Sequence, residues 1–594
     1  MLTRSSFLVS QLKQSAKFIF ALNNAKDSAI VKDIELQDIN IIAPQSDINA
    51  VDMAGAYSHV SNEIGVVISG SRTIDLISPI QNSNMYEKSL LVITNQDNDP
   101  HCGDLLKINS KMSYDLKKDD DTSKVINYAI KLSKGLYDGR KGPVHLNIRN
   151  EIQESDNIQN NKSIKEFLND LSDNVIDSFD KVINKLNESK IEETANILNN
   201  CSKPIILVGD DCGIASDELL RLSEKLNIPV VSTIDGVGCF DETNKLSLKN
   251  VGLYGLPSAN YAIQEADCLL SIGVKFDNMI TGKISKFSPN SVKINVELDY
   301  KRLKENDIFI NTQTAINSCP KVFLNKLLEY VDGLKIKNNK EKWIEQVLIW
   351  KDKYKPELYD ESLFSYLNIT EPHVLDDMKK YMDKNTIITT STRSKHVFAS
   401  RYIDWKSPKK LLSNGFIGSS GCGLSLSIGA KLAKPNSRVI CYDYDDSFLS
   451  SIYELETVIN HNLPIKIALM NFDNKPVNYR RALSDDFKIF NEHLTIGDKR
   501  GVKLMNCVND NNMKYFMEYN EGPLLCEFFV HPTFSIPYVY PGKALDDITF
   551  PNTNKKESKQ VVSNDKSDNN SNNNSNNNFK LFNRNIFFKM FKNY

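Results

Sequence analysis

None of the ten cysteines falls in a Cys-x-x-Cys pair, and no group of cysteine and histidine occurs. Their scatter from Cys102 to Cys526 argues against a zinc site and a disulfide framework, and fits a reducing compartment. No apolar run is long enough to span a bilayer. A formal net charge of -2 gives no global attraction to nucleic acid or to a membrane surface. His59, His145, His461 and His531 are unclustered and read as structural or surface residues. The start, Met1-Leu-Thr-Arg-Ser-Ser, lacks the continuous apolar stretch of a signal peptide. It has the Arg/Ser flavour of a transit peptide, but Phe7, Leu8, Leu12, Phe18 and Ile19 suggest a helix running into a strand. These residues are expected to belong to the fold, and the expected compartment is the cytoplasm.

What is present is an ordinary globular composition, 41% hydrophobic and 25% charged, in a chain too long for one core. At roughly 150 residues per domain, three or four domains are expected. Short β-branched runs alternate with helical patterns, the signature of parallel α/β sheets. Strand candidates are Gly65-Val-Val-Ile-Ser, Leu90-Leu-Val-Ile-Thr, Val144-His-Leu-Asn-Ile, Pro204-Ile-Ile-Leu-Val and Pro229-Val-Val-Ser. Five more follow: Cys268-Leu-Leu-Ser-Ile, Val292-Lys-Ile-Asn-Val, Thr386-Ile-Ile-Thr, Arg438-Val-Ile-Cys and Ile465-Lys-Ile-Ala-Leu. Leu219, Leu222 and Leu226 fall at helical spacing between two of them.

Polar stretches at 150–165 and 333–342 divide the chain into units at 1–160, 165–332 and 370–550. The first and third units close alike, with Lys141-Gly-Pro-Val-His-Leu-Asn-Ile against Glu521-Gly-Pro-Leu-Leu-Cys-Glu-Phe. Each is a turn feeding a terminal buried strand, which suggests a diverged duplication. Residues 552–594 are expected to be disordered, with an Asn/Ser tract that cannot bury a core before the aromatic and basic end from Phe579 to Tyr594.

The middle unit carries the most specific signal. Lys203-Pro-Ile-Ile-Leu-Val-Gly-Asp-Asp-Cys-Gly opens a strand–turn–helix unit whose Gly209 and Gly213 let backbone approach a ligand. Ile228-Pro-Val-Val-Ser-Thr-Ile-Asp-Gly-Val-Gly-Cys-Phe, Gly252-Leu-Tyr-Gly-Leu-Pro-Ser-Ala-Asn-Tyr-Ala and Ile272-Gly-Val-Lys-Phe-Asp-Asn-Met-Ile-Thr-Gly-Lys follow in order. Together these segments closely resemble the central domain of the acetolactate synthase large subunit, a thiamine-diphosphate-dependent family. The resemblance runs from Ser6 to about residue 550. It implies three doubly wound α/β domains: pyrimidine-binding, central FAD-binding and diphosphate-binding. FAD would lie along Thr233, Gly255, Lys275 and Asp277, with Glu297 facing the adenosine and Arg140 contacting the flavin. Lys275 stands where the family usually has arginine, which keeps the charge and loses a fork of donors.

The resemblance also assigns catalytic positions. Asp47 matches the family's glutamate, the carboxyl that activates the aminopyrimidine, and is one methylene shorter, about 1.5 Å of reach. Asp52 is a second candidate on that segment. Ser69-Gly70 survive from a Ser-Gly-Pro-Gly turn, with Ser71 and Arg72 replacing its second half. Gln96 and Lys111 match a glutamine and a lysine of the first domain. Gly418, Gly421, Gly423 and Gly429 keep the loop that curves under the cofactor, while Ser420 replaces a bulky apolar wedge. Arg393-Ser-Lys-His replaces a Gly-Gln-His-Gln run lining the reaction chamber, and places His396 in a catalytic segment.

The magnesium motif departs furthest. Asp445 matches the family's metal aspartate. Tyr444 and Asp446 replace the small residues beside it, and Phe472 stands at the second ligand, normally asparagine, just after Asn471, which lies 26 residues on from Asp445. Asn471 is next door and Asn474 lies near the third ligand. Phenylalanine offers no oxygen to a cation that demands octahedral oxygen coordination. A carboxylate such as Asp446 beside a diphosphate adds a repulsion of ~4 kcal/mol at about 4 Å and an effective dielectric of about 20.

Three functions are open on this reading. One is an acetolactate synthase-like enzyme that joins two pyruvates, or related 2-oxo acids, with loss of CO₂. Another is a catalytically impaired or inactive relative that binds flavin or pairs with a regulatory or catalytic partner subunit. The third is a different superfamily enzyme, a decarboxylase or pyruvate oxidase, which the middle-unit motifs disfavour. The family resemblance further implies a homodimer or higher oligomer, while the departures at Tyr444 and Phe472 lead to an expectation of weak or lost thiamine diphosphate and Mg²⁺ binding.

Overall fold

The computed structural model describes residues 3–22, 28–70, 73–95, 100–155, 187–356, 370–391, 393–414, 421–472, 503–506, 510–530 and 536–551. Gln96, Gly418, Asn474 and the Asn-rich tail therefore lie outside the described residues.

Apolar β-branched runs flanked by amphipathic helices give three six-stranded sheets, each parallel throughout. The first contains β1 (Phe18–Ala21), β2 (Asn40–Ile42), β3 (Gly65–Ser69), β4 (Leu90–Thr94), β5 (Met112–Asp115) and β6 (Pro143–Asn147). The second contains β7 (Pro204–Val208), β8 (Val230–Ser232), β9 (Ser247–Asn250), β10 (Cys268–Ile272), β11 (Val292–Glu297) and β12 (Thr314–Asn317). The third contains β13 (Ile387–Thr390), β14 (Leu411–Ser413), β15 (Val439–Tyr444), β16 (Ile465–Asn471), β17 (Lys503–Asn506) and β18 (Leu524–Phe529).

The second sheet has the order β12-β11-β10-β7-β8-β9, the doubly wound dinucleotide-binding arrangement. The first runs β2-β1-β3-β4-β6-β5 and the third β14-β13-β15-β16-β18-β17, which is the same order position by position. In each, the strand after the Gly-Pro turn inserts between the fourth and fifth. The two closing motifs are thus topologically equivalent, as a duplication requires.

Equivalent helices of the two copies pack on each other. Asp47–Ser61 follows β2, Cys422–Ala433 follows β14, and the pair forms the most extensive helix contact in the fold. The approach is close because Gly429 has no side chain. A Cβ there would lie 2.1 Å from the Met53 carbonyl oxygen and 2.9 Å from the Tyr57 nitrogen. One apolar cluster runs through the joint, including Ala50, Val51, Met53 and Tyr57 of the first helix with Leu424, Ile428 and Leu432 of the second. At the chain's start, helix Arg4–Ser15 leads into β1, with Leu8, Leu12 and Ile19 in the core. The second domain is tied to the third through Glu242, whose backbone N–H donates to the Trp405 carbonyl at 3.0 Å and whose carboxylate accepts from the Trp405 N–H at 3.1 Å.

Candidate active site

Around β15 the backbone forms a cradle. Gly421 caps helix Cys422–Ala433 at φ +91, and a Cβ there would meet Ser450 Cβ at 2.7 Å. Its N–H donates to Ser447 Oγ at 3.0 Å. The Gly423 N–H donates to Ser391 Oγ at 2.7 Å, and a Cβ on Gly423 would come within 3.1 Å of Asp443 Oδ2. Asp443 accepts from the Ser391 hydroxyl and, at 2.8 Å, from the Tyr444 N–H. Burial raises its pKa to about 6. A helix N-terminus with two glycines at the C-terminal end of a parallel sheet suits a phosphate.

The metal side is built differently. Asp445 opens the short helix Asp445–Leu449 straight after β15. Asn471 ends β16, is buried, and donates to Glu527 Oε1 on β18 at 2.6 Å. The Phe472 ring lies against Tyr444 with centroids 5.4 Å apart. Next to them sits Lys395, buried and bonded to Glu371. Among the described residues no group of three or more His, Cys, Asp or Glu side chains could hold a metal ion. Both glycine N–H groups are taken up by serine hydroxyls, and the side chains around Tyr444 and Phe472 do not fit Mg²⁺. His396 is buried with both ring nitrogens lacking hydrogen-bond partners, and burial lowers its pKa to about 4. It is therefore a neutral core residue at pH 7.

In the first domain, Asp47 is the first residue of its helix and is buried. It accepts from Ser69 Oγ, at the end of β3, at 2.5 Å. Ser46 caps the helix by accepting from the Asn49 N–H at 3.2 Å. This segment is fastened to the third domain, where Glu454 Oε1 accepts from the Gln45 N–H at 2.9 Å and from Asn49 Nδ2 at 2.7 Å. Asp52 faces the same joint. Asn414 Nδ2 donates to Asp52 Oδ1, and Asn414 Oδ1 accepts from Lys88 Nζ, both at 2.6 Å. Burial lifts Asp52 to about 6, against the pull of Lys88. Lys111, by contrast, is held beside Arg140, donating to Asp138 Oδ1 at 2.7 Å and to the Leu132 carbonyl at 2.9 Å.

The flavin positions form one cluster across the first and second domains. Arg140 donates to the Asn84 carbonyl at 3.1 Å, and its Nε is buried without a hydrogen-bond partner. Glu87 lies 3.9 Å from that nitrogen, 3.6 Å from Lys275 and in contact with Arg302. Arg302 also grips Glu297 through two nitrogens and Asp211 at 2.7 Å. Burial keeps Glu297 above the usual carboxylate range despite Arg302. Thr233 Oγ1 accepts from the Gly236 N–H at 3.1 Å, and Asp277 caps a short helix at Met279 and Ile280. Gly255 sits in the tight turn before helix Pro257–Glu265. The unmet Arg140 Nε would suit a ligand. However, three cations here face three carboxylates, so no net positive charge is left for a dinucleotide's diphosphate. As they stand, these residues do not fit FAD.

Motif reading missed Glu87, Arg302, Glu371 and Asn414. Each acts through a contact between distant segments, and only the substituted Lys395 carried a local signal.

The thiamine pyrophosphate enzyme central domain matches residues 191–327, and the C-terminal thiamine pyrophosphate-binding domain matches residues 394–475. A probable acetolactate synthase large subunit from Methanococcus aeolicus is 27% identical over 542 residues, covering 84% of this chain and 87% of the relative. The mitochondrial acetolactate synthase of Schizosaccharomyces pombe is 28% identical, covering 85% and 79%. The mitochondrial catalytic subunit of Saccharomyces cerevisiae is 26% identical, covering 86% and 77%. The chain is similar to thiamine-diphosphate-dependent acetolactate synthases over more than four-fifths of its length. Its acetolactate synthase-like character extends over all three sheets. Among the described residues, no helix is long and apolar enough to cross a membrane.

Proposed function

We propose that this acetolactate synthase-like chain handles 2-oxo acids of the pyruvate class, joining two of them with loss of CO₂. The observation that carries the reading is the retained pair of half-sites on equivalent helices. A buried carboxylate, Asp47, opens the first helix, and a glycine cradle opens the second. Family likeness over more than four-fifths of the chain supports it. Incubation of the purified chain with pyruvate, thiamine diphosphate and Mg²⁺, followed by colorimetric detection of acetoin from acidified product, tests it. Asp47→Asn should abolish any product; product that persists in that variant would rule Asp47 out.

A second reading is favoured by one observation, the Tyr444, Phe472 and Lys395 cluster on the metal side. On that reading catalysis is impaired and the chain works by pairing with a partner subunit. The pyruvate assay separates the two, because product belongs only to the first, whereas thiamine diphosphate binding is open to either. For flavin, the balanced charges around Arg302 lead us to expect a colourless protein. Yellow absorbance in the purified chain, reduced by Arg140→Ala, would reverse that expectation.

A further inference from the structure

The metal side of the third domain already holds a positive charge. Lys395 Nζ is 0% exposed and donates to Glu371 Oε1 at 2.6 Å. It stands 3.7 Å from the Tyr444 ring centroid, 4.9 Å from that of Phe472 and 5.1 Å from that of Tyr442. Three π faces and one carboxylate make a cage suited to an ammonium. The cage is braced: the Tyr442 hydroxyl donates to the same Glu371 oxygen, and Ser394 Oγ lies 2.8 Å from the Tyr444 hydroxyl. Two of the three rings are the residues that stand in the family's metal motif.

We propose that Lys395 is the resident cation of this site and replaces the divalent metal. The substitutions at 395, 444 and 472 then form one coordinated exchange. An ammonium needs a counter-charge and can use aromatic faces, whereas Mg²⁺ needs close to six oxygens. The rings around Lys395 offer none of those oxygens, and the ammonium already occupies the Glu371 carboxylate. The site therefore takes no divalent metal, and whatever diphosphate the glycine cradle binds, it binds without one. The inference rests on reading this domain as the diphosphate half of a thiamine-diphosphate site.

Mn²⁺ binding to the full chain, followed by electron paramagnetic resonance with and without millimolar thiamine diphosphate, tests it. Wild type should leave micromolar Mn²⁺ free. Tyr444→Gly with Phe472→Asn restores backbone access and a ligand. Adding Lys395→Gln to that pair, which frees the Glu371 carboxylate, should tighten Mn²⁺ at least about tenfold more, the scale of a ligand-shell change. Wild-type Mn²⁺ binding at micromolar concentration would overturn the proposal, as would a triple variant no tighter than the double. Should the variants unfold, wild type alone decides, because its thiamine diphosphate affinity should be equal in EDTA and in Mg²⁺. A tenfold gain with Mg²⁺ would sink the idea. Failure of the underlying site reading looks different: no form binds thiamine diphosphate, and Mn²⁺ titrated alone still reports on Lys395.

Discussion

At the scale of single residues, the joint between the first and third domains depends on three polar side chains in an apolar setting. Asn414 uses its amide nitrogen toward Asp52 Oδ1 and its oxygen toward Lys88, so it bridges the two buried groups, while Asp52 Oδ2 is left without a hydrogen-bond partner. Removing one partner leaves the others exposed to a full desolvation penalty. Asn414→Leu should therefore destabilise the protein by about 2–3 kcal/mol, read from urea denaturation; a loss below measurement error would mean water takes its place. The pH dependence has a definite sign. Burial raises Asp52 from 3.8 to about 6, so the folded state holds this proton more tightly than the unfolded one. The stability it contributes is complete below about pH 4 and is lost as pH rises through about 6, by up to ~3 kcal/mol. Asp52→Asn lacks that loss. The stability of wild type relative to this variant should fall between pH 4 and pH 7, and a constant difference would contradict the assignment.

At the scale of elements, the paired helices Asp47–Ser61 and Cys422–Ala433 do two jobs each. Their first residues face the candidate half-sites, and their flanks hold two domains together. Gly429 permits the close crossing, and a methyl group there would collide with backbone rather than with a movable side chain. Gly429→Ala should cost about 1–3 kcal/mol by overpacking, with helix content unchanged by circular dichroism. A neutral effect would mean that the two domains slide apart without penalty. The strands show what was legible beforehand and why. All ten runs singled out in the sequence are strands, and they occupy interior sheet positions, where burial on both faces gives continuous apolar stretches. The edges β2, β5, β9, β12, β14 and β17 escaped notice. They are three or four residues long and half polar, as in Met112-Ser-Tyr-Asp or Ser247-Leu-Lys-Asn. The site followed the same rule. Motif positions such as Asp47 and Gly421 could be read because the chemistry is local in sequence. The cages of Lys395 and Arg302 could not, since Glu371, Glu87 and Asp211 reach them only through the fold.

At the scale of the whole molecule, apolar side chains left uncovered by one chain suggest assembly. Ile74 is 66% exposed and Ile108 79%, with Met85 and Leu105 on the same run of adjoining helices in the first domain. We expect a homodimer or higher oligomer, formed with or without cofactor, through an obligate interface above ~2,000 Å². Light scattering at micromolar concentration checks this, and charged substitutions at Ile74 and Ile108 should push the protein toward monomer. A stable wild-type monomer would argue against the dimeric enzyme and the pairing partner alike. The shared strand order of the first and third sheets reaches further back. A lone domain of this pattern would have met its own copy through the helix that now joins the two halves. Covalent linkage turns such an encounter into a tethered one, held at an effective concentration near the millimolar range however little protein is made. With neither half dependent on finding the other, each is free to specialise: one has a carboxylate at the head of its helix and the other has the glycines.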